Sequence, residues 1–247
     1  MKRYFLTVRY RGTSYAGFQV QENAQTIQGE IEKAMAVFLK SPVVLTGSSR
    51  TDAGVHALMN CFHFDFNEDL NPKMLYNLNA MLPSDIIITN LWEVPSHAHC
   101  RFDATERSYG YNIHIKRDPF LNDRSWYLPY NINVLLLQES AHIILGKHDF
   151  TSFAKRNTQV SNHYCTISVC DWTQHASGLK LKVSGNRFLR GMVRGLVGTM
   201  VKVGRGKMTL DEFANVLEAK DNTMADFTAP AHGLFLENIE FPIEYRP

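Results

Sequence analysis

Two charged side chains in the stretch "GSSRTDAGVHAL", residues 47–58, could do chemistry together. Asp52 is a carboxylate. Arg50 stands two residues before it in a strand-like segment, so both can project from one side. A guanidinium in that position keeps a carboxylate ionised. An ionised carboxylate can act as a nucleophile or a base. The same residues also suit a turn, since Asp caps local N–H groups and Gly54 accepts positive φ. The residues alone leave both readings open.

A second group lies in "RFLRGMVRGLVGTMVKVG", residues 187–204. Its spacing predicts a helix from about Arg187, with Arg187, Arg190 and Arg194 in a stripe about 60° wide. Gly191, Gly195 and Gly198 flank that stripe and would let another backbone come close. Three arginines are costly to bury, so they should face water, phosphate or a carboxylate. Arg194, furthest into the helix, is the one expected to meet an acid. In "RSYGY", Tyr109 and Tyr111 share one face of a strand, either as core or as a surface on which a nucleobase stacks.

Charge is distributed unevenly. Lys155 to Lys207 holds ten Lys or Arg and one acid, Asp171, leaving 16 of the chain's 26 basic and 23 of its 24 acidic residues elsewhere. One cationic segment on a chain of formal net charge +2 fits either a solvated basic face or a polyanionic partner. Arg205 and Lys207 close that segment.

Other chemistries lack their patterns. "SHAHC" alternates His97, His99 and Cys100, but further ligands at recognisable spacing are missing, so no metal site is expected. "DFNEDLN" opens like a calcium loop, yet Leu70 stands where glycine is needed and Tyr76 where glutamate is needed. "GRGK" at 204–207 lacks P-loop spacing. Four cysteines without a CxxC suggest reduced thiols. No apolar run is long enough to span a bilayer and the N-terminal stretch has no signal-peptide core, so a cytoplasmic protein is expected.

The elements that must position these groups follow from periodicity. "KRYFLTVRY" alternates as a strand, and "QTIQGEIEKAMAVFLK" has helical spacing behind a Thr26 cap. "SPVVLT" and "NCFHFDF" are expected as strands on either side of the Asp52 loop. Asn71 and Pro72 start a further helix, and "DIIITNLWEV" is a strand. The order β-α-β-β-α-β predicts a ferredoxin-like unit. The rest echoes it: a strand at "ERSYGYNIHIK", a helix at "NVLLLQESAHIILG", a hairpin turning near "ASG", two helices and a closing strand at "GLFLENIEF". The expected fold class is α+β, two ferredoxin-like halves with a mixed, mainly antiparallel sheet. Residues 1–104 would carry the Asp loop, and residues 105–247 the Tyr strand and the Arg helix.

"RTDAGVHA" resembles the central motif of the TruA family of tRNA pseudouridine synthases. "CRFDATERSYGY", "GKHDFTSF", "RFLRGMVRGLVGTMVKVG" and "APAHGLFLENIEF" are similar to further family blocks and occur in family order. The resemblance implies conversion of uridine to pseudouridine in the tRNA anticodon stem-loop, at positions of about 38 to 40, by a homodimer using no cofactor and no metal. It implies that Asp52 is the nucleophile, that Tyr109 stacks on the base, that Arg194 pairs with the aspartate and that Arg50 handles the flipped nucleotide. Arg187, Arg190, Arg205 and Lys207 would then contact RNA phosphates. Ser48 and Ser49 stand where the family commonly has alanine or glycine, and Cys165 stands where it often has arginine.

Overall fold

The computed structural model describes residues 1–156, 160 and 162–247. Residues 157–159 and 161 fall inside the basic stretch 155–207, and that part of it lies outside the described residues. The chain forms two compact units, residues 1–106 with 236–247, and residues 107–235.

In the first unit, β1 (Lys2–Tyr10) pairs antiparallel with β3 (His56–Phe66) and with β4 (Ile86–Val94). Phe5, Leu6 and Val8 of β1 and Phe62 and Phe64 of β3 are buried. The helix α1 (Ile27–Leu39) starts where expected, with the Thr26 side chain accepting from the Gly29 N–H, and buries Ile27, Ile31, Ala34 and Met35 at helical spacing. Asn71 caps a 3₁₀ turn (Pro72–Met74) that leads into α2 (Leu75–Met81). The strand expected at "SPVVLT" shrinks to β2 (Thr46–Gly47), paired antiparallel with β3. Its alternation is real, since Val43 and Leu45 are buried and Val44 is exposed. However, Pro42 has no N–H to donate, and Leu45 bonds Glu32 and Gln28 of α1 in place of a strand ladder. The strand order β4-β1-β3-β2 is the ferredoxin-like one.

The second unit repeats part of that order. Its strands run β5 (Glu106–His114), β9 (Gly178–Gly185), β8 (Tyr164–His175) and β7 (Gly146–Asp149), all antiparallel, with β6 (Trp126–Tyr127) parallel to β5. The expected hairpin turns at Ala176–Ser177, where His175 pairs with Gly178. Helices α3 (Val134–Ile143), α4 (Met192–Gly204) and α5 (Leu210–Ala219) supply the apolar cover. α4 buries eleven of its thirteen residues, Arg194 and Lys202 being the two that stay half-exposed.

The two units divide at Glu106/Arg107, close to the boundary read near residue 104. The closing strand β10 (Leu234–Glu240), placed by sequence in residues 105–247, passes into the first unit from Leu236 onward, beside β3. A strand's sequence records which face is buried but not which neighbour it pairs with. Among the described residues no helix is long and apolar enough to cross a membrane.

Candidate active site

Asp52 occupies the first position of a tight turn. Its carbonyl accepts from the Val55 N–H at 3.1 Å, and Gly54 supplies the required positive φ of 79°. The segment before it is fixed from three sides. The Phe18 N–H donates to the Thr51 carbonyl at 3.1 Å. The Thr51 hydroxyl lies 2.8 Å from the Tyr10 hydroxyl at the end of β1. The Asn60 amide on β3 donates to the Ser49 carbonyl at 2.8 Å and to the Tyr10 hydroxyl at 3.2 Å. Thr51, Tyr10 and Asn60 are all buried, whereas Asp52 is half-buried and Arg50 is exposed. The sequence options of turn and held-out carboxylate therefore describe one structure: the turn holds Asp52 at the surface on a rigid buried base.

Tyr10, Thr51 and Asn60 were not singled out from sequence. Asn60 carried a usable signal. It is a polar residue within the apolar run "LMNCFHF", and a buried amide in a strand must find partners.

The remaining candidates belong to the second unit. Tyr109 on β5 lies against Phe188, with ring centroids 5.0 Å apart at 75°. Tyr111, two residues on, is core: it is fully buried and its hydroxyl donates to the Pro230 carbonyl at 2.8 Å. Burial pushes the Tyr111 hydroxyl well above the usual phenol range, against the opposing pull of the Arg194 charge. Arg194, in the first turn of α4, donates through Nε to the Ala229 carbonyl at 2.7 Å. The expected approach of another backbone at the glycine row is present: the Asp226 carbonyl packs against Gly198, and the Phe227 ring against Gly195.

The arginine stripe does not survive. α4 begins at Met192, with Gly191 at φ 75° as its N-cap, so Arg187 and Arg190 precede the helix on non-helical backbone. The Arg190 carbonyl accepts from the Lys155 N–H at 2.9 Å. Helical periodicity in "RFLRGMVR" was therefore accidental over its first turn, and Gly191 marks the true start. Arg187 is half-buried and Arg190 exposed. Arg205 caps the other end of α4, and Lys207 is exposed beyond it. Phe188, which sequence reasoning passed over, packs on Tyr109 from within this same segment.

The histidine–cysteine group resolves into packing. Cys100 is buried, with its thiol 3.1 Å from the Thr46 carbonyl and 3.3 Å from His63 Nδ1, and the His99 ring meets His63 edge-on and Phe102 at a tilt. Among the described residues no group of three or more His, Cys, Asp or Glu side chains is arranged to hold a metal ion. Two acids of "DFNEDLN" are engaged in ion pairs, Asp65 with Arg3 and Asp69 with Lys2. Cys165 is buried, and burial pushes its thiol up to about 11 although the Arg187 charge opposes this.

Comparison with known proteins decides the family. The tRNA pseudouridine synthase family model matches residues 6–103 and 141–242. The chain belongs to the tRNA pseudouridine synthase family. It is 40% identical over 249 residues to tRNA pseudouridine synthase A of Parabacteroides distasonis, covering 100% of this chain and 99% of that relative. The enzyme of the same name from Azobacteroides pseudotrichonymphae is 38% identical over 244 residues, covering 98% of each chain. That of Bacillus subtilis is 40% identical over 242 residues, covering 95% of this chain and 97% of the relative. Membership thus extends over the whole chain, including the Asp52 turn and the α4 helix.

Proposed function

We propose that this member of the tRNA pseudouridine synthase family isomerises uridine to pseudouridine in the anticodon stem-loop of tRNA, at about positions 38, 39 and 40, with Asp52 as its nucleophile. The observation that carries the reading is the half-buried Asp52 carboxylate on a turn fixed by buried Tyr10, Thr51 and Asn60, in a chain of this family.

In the reaction the bond between ribose C1′ and uracil N1 breaks, the uracil turns, and a bond forms between C1′ and C5. The proton on C5 leaves and N1 gains one, so substrate and product are isomers. Asp52 stabilises the separated intermediate covalently, as carboxylates do in glycosyl transfer. A carboxylate held in one direction by its loop loses little further freedom on reaction. Arg194 serves as its counter-ion. Tyr109 holds the base from one face, and its phenol takes part in removing the C5 proton. The target leaves its stack, and exposed Arg50 occupies the gap. Arg187, Arg190, Arg205 and Lys207 bind phosphates, which gives an affinity that falls steeply with salt.

The enzyme acts in the cytoplasm as a homodimer. Carbodiimide mapping of pseudouridine in tRNA transcripts treated with the protein tests the target. Stops confined to the anticodon arm support the reading, and stops confined to another arm contradict it.

A further inference from the structure

Resting on the proposal that the substrate is tRNA, we infer that Tyr130 and Arg205 form a second RNA contact, one that grips the phosphate–ribose backbone away from the reacting uridine. Tyr130 lies between the two stretches that the family model matches.

The pair is built into the far end of α4. Arg205 is the C-cap, its N–H shared between the Val201 and Val203 carbonyls. Its guanidinium carbon sits 3.7 Å from the centroid of the Tyr130 ring, close enough for a strong cation–π contact. The segment bearing Tyr130 is fastened to the same helix end. The Asn133 N–H donates to the Gly204 carbonyl at 2.8 Å, the Tyr130 N–H donates to the Leu128 carbonyl at 2.9 Å, and Ile132 packs on Gly204. The Tyr130 side chain nevertheless remains 50% exposed. A large ring that is fixed, half-uncovered and topped by a cation suits recognition better than core packing.

The charge is also uncommitted. Neighbouring cations of this unit pair with acids, Lys202 with Asp226 at 3.1 Å and Lys220 with Asp149 at 3.6 Å. Among the described residues no carboxylate pairs with Arg205 or with exposed Lys207. The ring holds the planar guanidinium in one orientation, and its N–H edge matches the oxygens of a phosphodiester. Lys207, two residues on, adds a second charge.

Position separates this contact from the chemistry. Arg194 and Arg205 are eleven residues apart along α4 and its cap, roughly 16 Å at the rise of an α-helix. If Arg194 serves the reacting nucleotide, Arg205 reaches backbone several phosphates away. Tyr130 is then a positioning residue, acting through Arg205 to improve capture of RNA and not the chemical step.

The test compares wild type, Tyr130→Ala, Tyr130→Phe and Arg205→Ala on a full-length tRNA transcript. Isomerisation is followed by tritium release from C5-labelled uridine, and affinity by filter binding over a salt series. Tyr130→Ala should raise KM about 5- to 10-fold with kcat within two-fold. Tyr130→Phe keeps the ring and should match wild type. Arg205→Ala should raise KM similarly and reduce the salt slope by about one. Unchanged KM in Tyr130→Ala overturns the inference. So does a loss in Arg205→Ala that Tyr130→Ala does not share, because the ring would then not orient the cation. A loss of kcat at constant KM also overturns it. Wild type inactive on every tRNA would instead defeat the proposed function, so the two failures are distinguishable.

Discussion

The Thr51 hydroxyl and the Tyr10 hydroxyl lie 2.8 Å apart, both buried, and join the residue before Asp52 to the end of β1. Asn60 closes the network from β3 by donating to Tyr10 and to the Ser49 carbonyl. Removing one member of a buried network leaves its partners without hydrogen bonds, at about 1–3 kcal/mol each. Asn60→Leu should therefore destabilise the fold by about that amount and lower kcat more than KM changes. Tyr10→Phe should do the same more weakly. Urea denaturation and turnover assays check this, and full activity in a destabilised Asn60→Leu protein would detach the network from catalysis.

Among the described residues, two buried hydroxyls behind the same turn, Ser48 Oγ and Ser49 Oγ, meet no hydrogen-bond partner. A buried hydroxyl without a partner costs stability, and alanine removes it with little change of shape. Ser48→Ala and Ser49→Ala should each stabilise by about 1 kcal/mol, seen as a rise in melting temperature of about 2–4 °C. A fall in melting temperature in both variants would show that the hydroxyls are satisfied in solution.

Much of this architecture is visible in the chain itself. Thr26 and Asn71 mark helix starts that the structure keeps, because a side-chain oxygen meets the first free N–H groups of a helix wherever the helix packs. The strand that follows the Asp52 turn is legible from alternation, and the turn itself from Gly54. Non-local effects are not legible. Leu45 gives its N–H to Glu32, so a strand pattern yields only two paired residues. Gly191 ends an apparent helical stripe that arginine spacing alone extended by a turn. β10 joins the first unit from Leu236 onward, although the 129 residues from Arg107 to Phe235 belong to the second. The Asn60 network depends on three segments that only folding brings together.

The row of small residues on α4 yields a packing prediction. A Cβ at Gly198 would collide with the Asp226 carbonyl oxygen, and that backbone is held by the Asp226 N–H donating to the Thr199 hydroxyl at 2.9 Å. Neither partner can withdraw cheaply. Gly198→Ala should cost about 1–3 kcal/mol, despite alanine's better helix propensity. A midpoint of urea denaturation equal to wild type would show that the 226 segment can move aside.

Asp65 and Arg3 form a two-point ion pair, at 2.8 Å for both contacts, on the first unit. The Arg3 hydrogen bond holds the Asp65 carboxyl below the usual carboxylate range, outweighing the opposing effect of burial. A carboxyl lowered in the folded state contributes stability that is present above its unfolded pKa of about 4 and is lost as pH falls through the folded value. Asp65→Asn should thus melt below wild type at pH 7, and the gap should close as pH falls below about 4. A gap independent of pH between 7 and 2.5 would exclude the ion pair as its cause.

Release of tritium from C5-labelled uridine in tRNA, measured for wild type and for Asp52→Ala, shows whether the Asp52 carboxylate carries the isomerisation. Replacement of the C5–H bond by a C–C bond must liberate the label, so wild type is predicted to release it and Asp52→Ala, folded to the same melting temperature, to release none above background. Release by Asp52→Ala at the wild-type rate would exclude Asp52 as the nucleophile, and none by wild type on tRNA bearing uridine in its anticodon arm would exclude the reaction itself.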